Sequence, residues 1–217
     1  MNPGRMDYAL YLVTDRKLAR GRSTLEVVRA AVRGGVSCVQ LREKQCSIRT
    51  FIQEALSIRD FLKPSGVPLI INDRLDVALA VGADGVHLGQ TDMPLEMARS
   101  IVKDALCIGI SAESLEDARA AERGGADYIG VSPIFETATK ADTAPALGLE
   151  GLRQIRAAVN VPLVAIGGLN RHNVGHVIHS GADGVAVVSA IVAAQDPEEA
   201  SRDLLDVIQR ARLPRGG

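Results

Sequence analysis

The sequence predicts an α/β protein, a single (β/α)8 barrel of the TIM type occupying residues 1–217. Three features of the 217-residue chain carry that expectation. Eight short apolar runs alternate with eight segments whose apolar residues recur at helical spacing. Most of the runs are apolar almost without interruption, as parallel strands are when both faces of their sheet are covered. A small-residue turn followed by a strand also recurs, as RGGVSCVQL (33–41), VGADGVHLG (81–89), RGGADYIGV (123–131) and SGADGVAVV (180–188).

In chain order, the first strand falls in YALYLVT (8–14) and the first helix in LEVVRAAV (25–32). The strand in 33–41 leads to IRTFIQEALSIRDFL (48–62), whose apolar residues keep one face over about four turns. VPLIIN (67–72) precedes LDVALAV (75–81), and the strand in 81–89 precedes LEMARSIV (95–102). LCIGIS (106–111) precedes LEDARAAE (115–122), and the strand in 123–131 precedes LEGLRQIRAAV (149–159). VPLVAIG (161–167) and NVGHVIHS (173–180) form the seventh pair. The strand in 180–188 and PEEASRDLLDVIQRA (197–211) form the eighth. In each repeat a Gly closes the helix and the strand follows within a few residues. A doubly wound open sheet is the second choice. No GxGxxG follows the first strand, so dinucleotide binding is not indicated.

Composition narrows the function classes. With 25 basic and 26 acidic residues the net charge is −1, which offers no broad basic face for nucleic acid. Aromatic residues make up 3% and Trp is absent, so base-stacking platforms are not expected. Cys38, Cys46 and Cys107 are odd in number and lack CxxC spacing, which fits free thiols in a reducing cytoplasm better than a disulfide framework or a zinc site. No apolar run approaches membrane-spanning length, and the opening MNPGRMDYALYLVTDRK does not read as a signal peptide. A cytoplasmic protein acting on small molecules, without nucleic-acid or membrane partners, is expected; homo-oligomerisation stays open.

Active sites of such barrels are built at the C-terminal ends of the strands. Those eight positions hold Thr14-Asp15, Gln40-Leu41-Arg42-Glu43-Lys44, Asn72-Asp73-Arg74, Gly89-Gln90-Thr91-Asp92, Ser111, Ser132-Pro133, Gly167-Gly168 and Val188-Ser189. The opposite ends carry mostly Gly, Ala, Val and Pro. Strands three and four should lie about 5 Å apart, so Asp73 and Asp92 can converge. Two carboxylates from separate loops suit Mg²⁺. Equally, each could cap the helix that follows it. Arg42, Lys44 and Asn72 on the same rim favour an anionic ligand.

On the other side, the loops after strands seven and eight are where barrels often bind phosphate through backbone N–H groups. The loop FETATKADTAPALG (135–148) is longer than an ordinary βα connection, and with Thr137, Thr139 and Lys140 it reads as a lid. His87 reads as an interior histidine. His172, His176 and His179 fall on or just before the seventh helix, away from the rim.

Seven stretches carry a resemblance to the thiamine phosphate synthase family: YLVTD, VQLREK, INDRLDVALAVGADGVHLGQTDMP, IGIS, DYIGVSPIFETATK, AIGGL and GADGVAVVSAI. The resemblance implies a transferase that joins a hydroxymethylpyrimidine diphosphate to a thiazole phosphate and releases diphosphate, with loss of CO₂ when the thiazole arrives carboxylated. It implies that the stretch Gln40-Leu41-Arg42-Glu43-Lys44, with Asn72, Ser111 and Lys140, holds the pyrimidine diphosphate. Of these, Arg42, Lys44, Ser111 and Lys140 would serve the chemical step. Asp73 and Asp92 would bind Mg²⁺, and Thr137, Thr139, Gly168, Val188 and Ser189 the thiazole phosphate. The chain departs from the family at Ser132, often Gly, and at Glu136 and Ala138, which replace prolines that often flank Thr137. Two rival readings are a thiazole tautomerase, which would keep only the phosphate cup, and a non-catalytic regulator that binds a phosphate ligand.

Overall fold

The computed structural model describes residues 6–137 and 145–213. Eight parallel strands close into a barrel in chain order: β1 (Leu10–Val13), β2 (Cys38–Leu41), β3 (Leu69–Asn72), β4 (Gly85–Leu88), β5 (Cys107–Ala112), β6 (Tyr128–Val131), β7 (Leu163–Ile166) and β8 (Gly184–Val187), with β8 bonded back to β1. The helices between them are α1 (Thr24–Arg33), α2 (Ile48–Leu62), α3 (Leu75–Val81), α4 (Leu95–Val102), α5 (Leu115–Arg123), α6 (Gly148–Ala158) and α7 (Val174–His179). A short α8 (Ser189–Val192) follows β8 directly, and α9 (Pro197–Arg212) closes the described chain. The closed barrel excludes the open doubly wound sheet. No helix among the described residues is long and apolar enough to cross a membrane.

Most strands are shorter than the apolar runs that announce them; β5 is as long as its run and shifted by one residue. The first was expected over residues 8–14 and spans Leu10–Val13. Tyr8 lies just below the barrel, its ring centroid 4.7 Å from that of Tyr128. Strand alternation divides the apolar side chains into two sets. Leu10, Leu12, Val39, Leu41, Leu69 and Ile71 point outward and pack with the helices. Tyr11, Val13, Cys38, Ile70, Cys107, Tyr128 and Val164 point inward and fill the barrel. A barrel of this strand number has room for side chains but not for a channel.

The helices begin where local hydrogen bonding favours it. Ser23 caps α1 and forms a reciprocal capping box with Glu26. Ser47 caps α2, Ser114 caps α5, and Asp196 with Pro197 at the first helical position opens α9.

The recurring turn has a function at the base of the barrel. Asp84 Oδ2 accepts the Leu69 N–H at 2.9 Å, Asp127 Oδ2 accepts the Ile108 N–H at 2.7 Å, and Asp183 Oδ2 accepts the Leu163 N–H at 2.8 Å. In the first copy Ser37 Oγ does the same for the Leu10 N–H at 3.1 Å. Each of the four residues also donates its own backbone N–H to the carbonyl of the residue it caps, at 2.8–3.0 Å. The start of each odd-numbered strand, its first residue in β1, β3 and β7 and its second in β5, is thereby tied to the turn before the next strand. Asp84→Ala is expected to cost about 2 kcal/mol of stability, because it leaves the Leu69 N–H without its acceptor. Asp84→Asn should recover most of that loss, as read from urea unfolding midpoints at unchanged m-value.

Candidate active site

At the C-terminal ends of the strands a cavity of about 500 Å³ opens. Of the residues expected there and described, Gln40, Arg42, Lys44, Asn72, Asp73, Asp92, Ser111, Thr137, Gly168, Val188 and Ser189 all line it. Leu41 does not: it is buried in the layer between sheet and helices. Glu43 is also absent from the lining, and its carboxylate is paired with Arg16 at 2.7 Å. Thr139 and Lys140, with Ala138, lie outside the described residues.

The carboxylate side is built from the ends of β3 and β4. Asp73 takes a left-handed backbone with φ of 61°, one of the few conformations outside glycine that Asp tolerates. That turn directs its carboxylate to two neighbours and its backbone N–H to a third. Oδ1 accepts from the Asn72 amide at 2.7 Å, Oδ2 forms an ion pair with Lys44, and the backbone N–H reaches the His87 carbonyl at 2.8 Å. Asp92 folds back on its own loop, with Oδ2 accepting the Gly89 N–H at 2.7 Å. Neither carboxylate caps the following helix. The N-cap positions of α3 and α4 are Arg74 and Pro94, and neither has a side-chain cap.

The two carboxylates meet. Burial pushes the Asp92 carboxyl above the ordinary value of 3.8, and the neighbouring Asp73 pushes it further, partly offset by the Gly89 N–H and Lys44. Among the described residues no group of three or more His, Cys, Asp or Glu gathers as a metal cluster. A pair of half-buried, mutually repelling carboxylates beside an open cavity is the donor set that Mg²⁺ uses when ligand oxygens complete its shell.

The cationic side comes from β2. Arg42 is held from behind by Asp15, with Nη1 3.2 Å from Oδ2, and its backbone N–H bonds Thr14 Oγ1 at 3.0 Å. Asp15 also accepts the N–H groups of Lys17 and Leu18. Opposite, Gly167 and Gly168 have φ of 106° and 66°. A Cβ at Gly168 would lie 2.6 Å from the Glu136 carbonyl oxygen, so only glycine fits the turn. The Asn173 amide donates to the Gly168 carbonyl at 2.9 Å and steadies the loop. Val188 and Ser189 begin α8 across from it.

Between these two sides lies a hydrogen-bonded chain that sequence reasoning missed. Gln40 Nε2 donates to the Tyr11 hydroxyl at 3.0 Å, which lies 2.9 Å from the Tyr128 hydroxyl. Tyr128 in turn lies 2.9 Å from His87 Nδ1, and His87 Nε2 lies 2.9 Å from Ser111 Oγ. One signal was available. Tyr11 and Tyr128, two of three tyrosines, lie within apolar runs, and a buried tyrosine hydroxyl requires a partner.

A closed (β/α)8 barrel whose rim joins paired carboxylates and cations to a glycine-lined cup defines a class, the barrels with an anion-binding rim. The comparisons narrow it: the thiamine monophosphate synthase family model matches residues 10–191, and the chain belongs to that family. It is 57% identical over 202 residues to the thiamine-phosphate synthase of Albidiferax ferrireducens, covering 92% of each chain. It is 54% identical over 204 residues to that of Syntrophomonas wolfei, covering 94% of this chain and 98% of the relative. The thiamine phosphate pyrophosphorylase structure from Pyrococcus furiosus superposes with a TM-score of 0.89 at 40% identity, covering 95% of this chain and 98% of that one. A 3-hexulose-6-phosphate synthase structure, at TM-score 0.71 and 17% identity, shares the fold alone.

The raised Asp92 carboxyl has a sign that stability measurements can check. A carboxyl whose folded pKa lies above its unfolded value destabilises the fold once both states are ionised, and the penalty disappears as the pH falls below the unfolded value. In metal-free protein Asp92→Asn is therefore expected to raise stability at neutral pH, since its side-chain oxygen still accepts the Gly89 N–H. The gain should vanish below about pH 4, near the unfolded pKa. Urea titrations across that range in EDTA measure it.

Proposed function

We propose that the chain is a thiamine-phosphate synthase, an alkyl-transferring enzyme (EC 2.5.1.3). In this reading it condenses 4-amino-2-methyl-5-hydroxymethylpyrimidine diphosphate with thiazole phosphate and releases diphosphate, or diphosphate and CO₂ when the thiazole is carboxylated. The observation that carries the reading is one cavity with two unlike anion-binding sides. Asp73, Asp92, Lys44 and Arg42 line one, and Gly168, Val188 and Ser189 the other. A tautomerase acting on the thiazole phosphate alone would have no use for the first side. Residues 1–217 act as one barrel domain, and the reaction belongs to the cytoplasm.

The residue roles proposed are those that the family resemblance implies. Gln40 and Asn72 orient the pyrimidine diphosphate. Arg42 and Lys44 take up the negative charge that grows on the leaving diphosphate, and Ser111 donates a hydrogen bond to it. Lys140 from the 135–148 loop adds a further cation, and Thr137 and Thr139 bind the thiazole phosphate with the Gly168 and Ser189 turns. Mg²⁺ held by Asp73 and Asp92 would supply Lewis-acid neutralisation of the diphosphate. No side chain is required as a covalent nucleophile. The chain's contribution is to hold the thiazole nitrogen facing the pyrimidine methylene carbon while the diphosphate departs ahead of attack.

Diphosphate release measured with both substrates and Mg²⁺ tests the function, and no release from folded protein would sink it. Asp73→Asn and Asp92→Asn are each expected to slow turnover by two or more powers of ten, about 3 kcal/mol of barrier, and EDTA should abolish it. Undiminished turnover in EDTA would remove the metal from the reading. Replacing the pyrimidine methyl by trifluoromethyl should slow single-turnover rates by powers of ten while changing binding far less, because the diphosphate contacts are untouched. Equal rates for the two pyrimidines would show that attack accompanies departure.

A further inference from the structure

The chain from Gln40 to Ser111 has a direction. An amide nitrogen only donates, so the Tyr11 hydroxyl accepts a hydrogen bond from Gln40 and has a single hydrogen of its own to give. Burial pushes the Tyr11 and Tyr128 phenols well above their ordinary value, so both stay protonated. The acceptors beside Tyr11 are the Tyr128 hydroxyl at 2.9 Å and the Cys38 thiol, and sulfur is the weaker. If the stronger acceptor takes it, the Tyr11 hydrogen goes to Tyr128 and the Tyr128 hydrogen to His87 Nδ1, each at 2.9 Å. A ring nitrogen that accepts carries no proton. His87 is then the neutral tautomer protonated on Nε2, and Nε2–H donates to Ser111 Oγ. Ser111 has one hydrogen left, and its side chain borders the cavity.

The fold makes room for this chain. A Cβ at Gly109 of β5 would collide with the Tyr128 ring, and one at Gly130 of β6 would lie 2.9 Å from His87 Cε1. Neither glycine has a positive φ, so what each position requires is the missing side chain rather than an unusual backbone. Tyr11, Tyr128 and Gln40 are 1%, 0% and 5% exposed, which keeps water from competing for their hydrogen bonds.

We propose that Tyr11, Tyr128 and His87 are positioning residues whose one-way hydrogen-bond relay, started by the Gln40 amide, makes Ser111 a dedicated donor to an anionic oxygen of the bound diphosphate. The proposal deepens the reading above and rests on Ser111 touching that substrate. Without the relay the Ser111 hydroxyl is free to turn its hydrogen toward His87 and present only lone pairs to the anion.

Two experiments judge it. In protein labelled with ¹⁵N-histidine, the His87 ring, assigned by its disappearance in His87→Gln, should show a pyridine-type Nδ1 and a pyrrole-type Nε2. Tyr128→Phe should erode that preference. The opposite tautomer in the wild-type protein overturns the relay. In kinetics, Tyr128→Phe is expected to lower kcat/KM for the pyrimidine diphosphate about tenfold, with the KM for thiazole phosphate unchanged. Combined with Ser111→Ala it should add nothing beyond the Ser111→Ala loss, because both changes remove the same hydrogen bond. Additive losses overturn the relay and leave Tyr128 a packing residue. A Ser111→Ala variant with undiminished turnover overturns the Ser111 contact itself, and with it the relay's effect on substrate. A Ser111→Ala variant that is impaired, in a protein whose His87 carries its proton on Nδ1, overturns the relay alone.

Discussion

Closure of the β8–β1 ladder is the constraint on which the rest depends. Ala186 stands opposite Tyr11 in that ladder, and no strand in the barrel has a free edge. Strands of four residues, the length of all but β5, offer few ladder bonds apiece, so the base has to be tied by other means. The Asp84, Asp127, Asp183 and Ser37 ties supply that, once for every second strand. Arg99 and Arg156 in turn pair with Asp127 and Asp183 at 2.6 and 2.9 Å and bring α4 and α6 against the same turns. Closure also brings Tyr11 of β1 against Tyr128 of β6 across the interior, 117 residues apart in sequence. An open sheet would separate them.

With the base held, the rim can carry arrangements that are unfavourable in themselves. Asp73 occupies a left-handed backbone, and its carboxylate sits close enough to Asp92 to raise that group's proton affinity. Both are features that a structure selected for stability alone would remove, and such features gather where a ligand compensates for them. The ion pair of Lys44 with Asp73 balances half of the carboxylate charge. Asp15 balances Arg42 in the same way. Arg42 and Lys44, the Arg and Lys side chains lining the cavity among the described residues, are thus each held by an acidic partner, and in the proposed reaction an incoming diphosphate would compete with those partners for them.

The architecture and the rim positions were legible because both follow from short-range pattern. Apolar runs, helical spacing and the polar residue after each run are local quantities, and they located Gln40, Arg42, Asp73, Asp92, Ser111 and Gly168 on one cavity. Leu41 and Glu43 came with them only because they share the QLREK stretch; strand alternation turns Leu41 outward, and Arg16 engages Glu43. Two things were illegible. The purpose of Asp84, Asp127 and Asp183 was hidden because their partners lie in the preceding strand, 15 to 20 residues away. His87 read as an interior histidine, which it is, but its partners belong to β5 and β6 and appear only once the barrel is closed.

Depth in the barrel orders the chemistry. Inside, between the base and the rim, the polar groups are phenols, thiols, an amide and an imidazole, all able to stay neutral. Burial raises the Tyr11, Tyr128 and Cys38 proton affinities and carries the Cys107 thiol to about 12. A charge there would require compensation that the interior cannot offer, whereas a neutral hydrogen bond strengthens as water is excluded. At the rim, where solvent and ligand both reach, charges are tolerated and are paired. Ser111 and Gln40 stand at the boundary, each with one side toward the neutral interior and one toward the charged cavity. A neutral chain can transmit orientation across that boundary without carrying charge through it, and in the proposed reaction the charge separation would take place above it.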